Sequence, residues 1–165
     1  MLNFSFFLWG YIFREREEIE ALKKSLIFNK FTKKELKKVI PHLYRRTYAK
    51  GETIVKYGEP GFALYIISSG KVSVEVPSNE GTLVVDELTV GEFFGEMALV
   101  SDNFRSATVI AKTETCVYVM PRSALEEVVK LHPEVGAKLL LNIAKVIAER
   151  LNKVNEKLAS LNDSK

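Results

Sequence analysis

The middle of the chain limits the fold most. From Tyr44 to about Met120 the sequence breaks into short β-branched and aromatic runs punctuated by glycine. Val72, Val74 and Val76 alternate with Lys71, Ser73 and Glu75. Successive side chains on a strand point to opposite faces, so this alternation predicts a half-buried strand. Leu64–Ile67, Leu83–Val85, Ala107–Ala111 and Cys116–Met120 read as further strands. Ser68–Lys71, which holds Gly70, reads as a tight hairpin turn, and Pro77–Gly81 as a longer loop of turn formers. Gly51, Gly58, Gly61 and Gly91 mark corners. Roughly eight short strands at such spacing predict a mainly β fold, a small two-sheet roll or jelly roll.

Helical patterns flank this region. Ile19, Leu22 and Leu26 stand at helical spacing in a charged stretch, with Glu20 and Lys24 as a favourable i,i+4 pair. Thr32 and Glu35 form a capping box, and Phe31 with Leu36 the accompanying hydrophobic staple. Leu36, Val39, Ile40 and Leu43 make that helix's inner stripe. Lys33, Lys34, Lys37 and Lys38 lie on the other side, as a solvated face or a docking patch for an acidic partner. Ser123 and Glu126 read as a second capping box, and Pro133 suits the first turn of a last helix running to about Leu161. In that helix Leu140, Ala144, Ile147, Leu151, Val154, Leu158 and Leu161 step by 4, 3, 4, 3, 4, 3, a heptad seam. Leu139, Ile143 and Val146 form a second stripe in the first half only. The second half is polar outside its seam, which predicts a homodimeric coiled coil through residues 140–161. The alternative is one long helix lying on its own roll.

At 165 residues with 47% apolar content the chain is one domain plus appendages. The expected divisions are an apolar leader and first helix (1–30), the β-roll with its flanking helices (31–131), and the long helix (132–165). The net charge of +3 is too small to argue for nucleic acid. Cys116 is the sole cysteine, which excludes an intrachain disulfide, suits a cytoplasmic location, and reads as a buried strand thiol. No run approaches the 18 or so apolar residues of a membrane span. Phe4–Phe13 (FSFFLWGYIF) comes nearest and lacks the flanks of a signal peptide. It either packs on the body or a partner chain, or touches a membrane peripherally with Trp9 and Tyr11 at the headgroups. His42 and His132 are the only histidines, both at predicted helix ends. A cupin-like metal cluster and a Ser–His–Asp constellation are therefore not expected, and neither are catalytic activity, a metal or a cofactor.

The stretch with chemistry in it is Gly91–Val109, GEFFGEMALVSDNFRSATV. Gly95 and Glu96 precede MALV, which can make one helical turn. Free N–H groups and the positive dipole end at a helix start favour a phosphate. Glycine lets the backbone approach closely. Arg105 offers a planar fork of donors, and Glu96 an acceptor for a sugar hydroxyl. Together these suggest a nucleotide.

The parts in this order resemble the cyclic nucleotide-binding domain family. KGETI (Lys50–Ile54), Gly58-Glu59-Pro60-Gly61 and Leu64–Gly70 are similar to its first strands and turns, and FGEMAL followed by RSATV to its phosphate-binding cassette. The resemblance implies an eight-stranded β-roll flanked by helices that binds cAMP, or alternatively cGMP. It implies that Glu96 takes the ribose 2′-hydroxyl and Arg105 the cyclic phosphate. Gly95, Met97 and Ala98 would give backbone contacts, and Ser106 a hydroxyl to phosphate or purine. Val74, Val85 and Leu88 would be apolar walls. The last helix is similar to the dimer helix of the family's catabolite activator members, where Asn155 falls at an adenine-contacting position and Val154 where a threonine is expected. Those members carry a helix-turn-helix after this helix. About four residues remain here, so no direct DNA binding is expected and the output would pass to an unidentified downstream protein. The competing expectation is a dimeric scaffold at a membrane surface with a silent nucleotide pocket.

Overall fold

The structure, a computed structural model, describes residues 15–100 and 104–162. The apolar segment Phe4–Phe13 lies outside the described residues. Among these, helix α1 covers 15–23, α2 Lys33–Val39 and a short 3-10 turn Ile40–His42. Eight strands follow: β1 Tyr44–Tyr48, β2 Thr53–Val55, β3 Ala63–Ser69, β4 Lys71–Ser78, β5 Gly81–Thr89, β6 Phe93–Phe94, β7 Thr108–Ala111 and β8 Thr115–Pro121. The one-turn helix α3 (Met97–Val100) sits between β6 and β7, and α4 (Arg122–Leu131) and α5 (Pro133–Asn162) close the chain. Two four-stranded antiparallel sheets, β1-β8-β3-β6 and β2-β7-β4-β5, form the predicted roll.

Two cores explain why some strands alternate and others do not. Tyr48, Ile67, Val72, Leu88, Phe94, Val109, Val117 and Val119 meet between the sheets. Leu64, Ile66, Phe93, Tyr118 and Met120 point from the first sheet into the helices, against Leu22, Phe28, Leu36, Leu125, Leu139 and Ile143. Strands β3 and β8 are thus covered on both faces, so TCVYVM reads as a continuous apolar run rather than an alternating one. Cys116 is buried, with the Arg45 Nε at 3.0 Å. Burial pushes the thiol up, yet Arg45, Ser68 and Thr47 outweigh it and hold it below the ordinary 9.0.

Four local expectations change. Leu26 is 45% exposed, and the neighbouring Ile27 and Phe28 are fully buried instead. Helix α1 ends at residue 23, so helical spacing no longer applies at Leu26. Gly70 is not a hairpin turn, because β3 and β4 lie in different sheets. It is a corner at φ +89, where a Cβ would come within 2.4 Å of the Glu114 carbonyl. Both uses of glycine look alike in sequence. Pro77 is paired with Thr82 inside a longer ribbon, and the turn is only Asn79–Glu80. The missing N–H is tolerated because β7 pairs β4 only up to Glu75. Finally, α4 starts at Arg122 with Pro121 as its N-cap and no side-chain cap bond, so Ser123 lies within the first turn.

The Thr32 box forms as expected: Thr32 Oγ1 accepts from Glu35 N at 3.2 Å, and Thr32 N donates to Glu35 Oε2 at 2.7 Å. Lys138 of α5 also donates to this carboxylate, at 2.9 Å, and lies over the Phe31 ring. The Thr32 amide and then Lys138 hold the Glu35 carboxyl below its ordinary 4.5. A depressed carboxyl adds stability above its unfolded value and loses it as pH falls through the folded one. Glu35→Gln is therefore expected to flatten the decline of urea stability below about pH 4.5. An unchanged acid limb would rule the contribution out. Ser25 is fully buried, and its hydroxyl has no hydrogen-bond partner among the described residues. Ser25→Ala is expected to raise stability by about 1 kcal/mol in urea unfolding. A loss would mean the hydroxyl has a partner.

Candidate functional site

The cassette is built by three adjoining segments. Strand β6 pairs with β3 through Phe94 and Tyr65, and the chain then turns at Gly95, φ +80. A Cβ there would meet Arg105 Nη1 at 2.6 Å and the Ala63 carbonyl at 2.7 Å. Gly95 is thus required both by its backbone and by the arginine lying across it. Glu96 follows, and its carbonyl receives the Leu99 N–H at 3.0 Å to open α3.

Arg105 is pinned by the upstream glycine turn. Its N–H donates to Glu59 O at 2.8 Å, and its carbonyl accepts from Gly58 N at 2.9 Å. Phe104 and Pro60 form a bridge beside them. This gives the GEPG motif a concrete role: it clamps the backbone on which the arginine stands. The guanidinium donates to Ala63 O at 3.1 Å and lies over the Tyr65 ring at 5.5 Å, which itself stacks on Phe94. Burial pulls its pKa below the ordinary arginine value, opposed by Tyr65 and Glu96. The charge of this part-buried guanidinium is met in the fold by a neutral carbonyl and a ring face.

Glu96 is only 9% exposed, and its ion-pair partner is not Arg105. Arg150 of α5 donates to Glu96 Oε1 at 3.0 Å and to the Phe93 carbonyl, with its guanidinium over the Phe93 ring at 4.8 Å. The long helix is thereby fastened to the cassette. Sequence reasoning missed Arg150, because it stands among polar residues outside the seam. One signal was present: it is the only arginine in α5, beside Lys138, Lys145, Lys153 and Lys157, and arginine is the residue suited to forked pairing.

Gly95, Glu96, Met97, Arg105 and Ser106 line one small cavity together with Phe104, which is 69% exposed and was also not anticipated. Ser106 Oγ lies 4.0 Å from Met97 Sδ. Ala98 is in α3. The remaining predicted residues do not line this cavity. Leu88 is buried in the core between the sheets and Val74 packs against it. Val85 is 40% exposed on β5, and Asn155 is exposed on α5. No cluster of His, Cys, Asp or Glu able to hold a metal occurs among the described residues. No helix among them is long and apolar enough to cross a membrane.

An antiparallel eight-stranded roll thus carries a small cavity where β6 meets the one-turn helix α3, with Arg105 part-buried at its wall. The family profile of the cyclic nucleotide-binding domain matches residues 45–132, more than half of the chain. The chain belongs to the cyclic nucleotide-binding domain family. It is similar to the cyclic AMP receptor protein of Thermus thermophilus, 31% identical over 140 residues, covering 83% of this chain and 62% of that one. Glutaminase 2 of Bradyrhizobium diazoefficiens is 34% identical over 113 residues, 68% of this chain but 18% of the glutaminase. The chain thus spans less than two thirds of either relative. A crystal structure of a cyclic nucleotide-binding domain from Methylobacillus flagellatus superposes with a TM-score of 0.79 at 23% identity, over 89% of this chain and 83% of that one.

Proposed function

We propose that the chain is a homodimeric sensor module for a cyclic purine nucleotide, cAMP in preference to cGMP, which signals to a partner protein through α5. The observation that carries this reading is the division of labour between the two arginines. Glu96 is paired with Arg150, while Arg105 is held against a carbonyl and a ring. Arg105 is left to take the cyclic phosphate, with the Gly95–Ala98 backbone beside it, and Glu96 to take the ribose 2′-hydroxyl. The similarity to a protein named as a cyclic AMP receptor favours cAMP. Calorimetric titration with cAMP and cGMP tests the reading. Saturable binding with cAMP tighter is expected. Binding of neither nucleotide would leave the pocket silent and favour the scaffold reading.

The signalling route follows from Arg150. A ligand hydroxyl on Glu96 competes with Arg150 for the same carboxylate, so occupancy biases how α5 sits on the roll. The dimer reading rests on the seam of α5, where Leu151, Val154 and Leu158 are 59%, 51% and 55% exposed. On this reading Asn155, exposed beside that seam, contacts the base in the other copy's pocket. Leu151→Glu with Leu158→Glu is expected to convert a dimer to a monomer in analytical ultracentrifugation. A native chain that sediments as a monomer would remove the dimer.

A further inference from the structure

Strand β3 gives the Arg105 guanidinium two contacts. The Ala63 carbonyl accepts from Nη1 at 3.1 Å, and the ring of Tyr65, two positions on, lies 5.5 Å from the guanidinium carbon. That distance is within reach of a cation–ring attraction. Tyr65 is itself fixed from several sides. Its backbone pairs with Val119 of β8 and Phe94 of β6. Its ring stacks on the Phe94 ring, with centroids 5.0 Å apart and 1° between the planes. Phe94 is buried in the core between the sheets. A Cβ at Gly95 would stand 3.4 Å from Tyr65 Cδ2, so the tyrosine ring also reaches the cassette turn. Phe94, Tyr65 and Arg105 thus form a stack that begins in the core and ends at the cavity.

Filling space does not require this arrangement. An aliphatic side chain would occupy a half-buried strand position equally well, as Ile67 does in the core two residues on, but would offer no negative face to a cation. Burial pushes the Tyr65 phenol up and Arg105 opposes it, so the ring is uncharged at neutral pH. A long arginine loses rotamer freedom when it takes an anion, and a seat that already holds it lowers that cost. A ring face holds the guanidinium without neutralising it, whereas a carboxylate in the same place would compete with an incoming phosphate. The nearby acid, Glu96, is paired with Arg150 instead.

We propose that Tyr65 is a positioning residue of the nucleotide site, whose ring holds the Arg105 guanidinium ready for the cyclic phosphate. This rests on the proposed function, in which Arg105 takes that phosphate. Calorimetric titration of the full chain with cAMP, with different rings at position 65, is the test. Tyr65→Phe keeps the ring face and should bind within about twofold of native. Tyr65→pentafluorophenylalanine keeps the ring's shape and its stack on Phe94 but reverses the charge of its face, so affinity should fall about three- to thirtyfold. In an Arg105→Ala background the same replacement should change nothing, because the ring then has no guanidinium to hold. Circular dichroism of every variant should remain native. A fluorinated chain that binds like the native one overturns the inference. So does an equal loss with and without Arg105, or a loss in Tyr65→Phe as large as in the fluorinated chain. A native chain that binds neither cAMP nor cGMP removes the proposed function, and this inference with it.

Discussion

Arg105→Ala is expected to lower cAMP affinity by about 100- to 3,000-fold. Removing one partner of a desolvated ion pair costs about 3–5 kcal/mol, and each 1.4 kcal/mol is about tenfold in affinity. The loss should fall on binding far more than on folding. Without ligand, among the described residues, the guanidinium contributes a hydrogen bond to Ala63 and a cation–ring contact with Tyr65, while burial works against its charge. Those opposing effects should leave the unfolding free energy within about 1 kcal/mol of native. Arg105→Lys should restore only part of the affinity, because an ammonium lacks the planar fork. Calorimetry on the three proteins decides the matter. Native affinity in Arg105→Ala would mean that the phosphate is held elsewhere.

The cassette was legible in the sequence because its parts are local. Gly95, Glu96 and Arg105 lie within one stretch, and each residue type has few other uses in such a setting. The strands were legible where one face is wet, as at Val72–Val76. They were also legible as continuous apolar runs where both faces are covered, as at Cys116–Met120. What escaped depends on contacts made across the fold. Gly70 carries the same signal whether it turns a hairpin or switches sheets, and only the packing of β3 against both cores decides. Arg150 lies 54 residues from Glu96, and nothing near it in sequence marks it apart from its being an arginine among lysines. Phe104 stands exposed at the cavity beside its bridge to Pro60, and nothing in the sequence alone marks it.

Arg150→Ala is expected to cost about 2–3 kcal/mol of folding stability. Breaking a buried pair costs about 3–5 kcal/mol. The Arg150 side chain is 30% exposed, and solvent reaching it lowers the figure. Two acceptors lose their donor at once, the Glu96 carboxylate and the Phe93 carbonyl, and the Phe93 ring loses its cation. Glu96→Gln should cost less, since the amide oxygen still accepts from the guanidinium. The double variant should be hardly worse than Arg150→Ala alone, giving a coupling of at least about 1 kcal/mol. Urea unfolding of all four proteins without nucleotide measures this directly. Strictly additive losses would show that Arg150 and Glu96 act independently, and α5 would then have no direct hold on the cassette. Strong coupling would give the ligand a definite task. A hydroxyl bound to Glu96 would share the carboxylate with Arg150, and so would bear on the only forked contact between α5 and the cassette among the described residues.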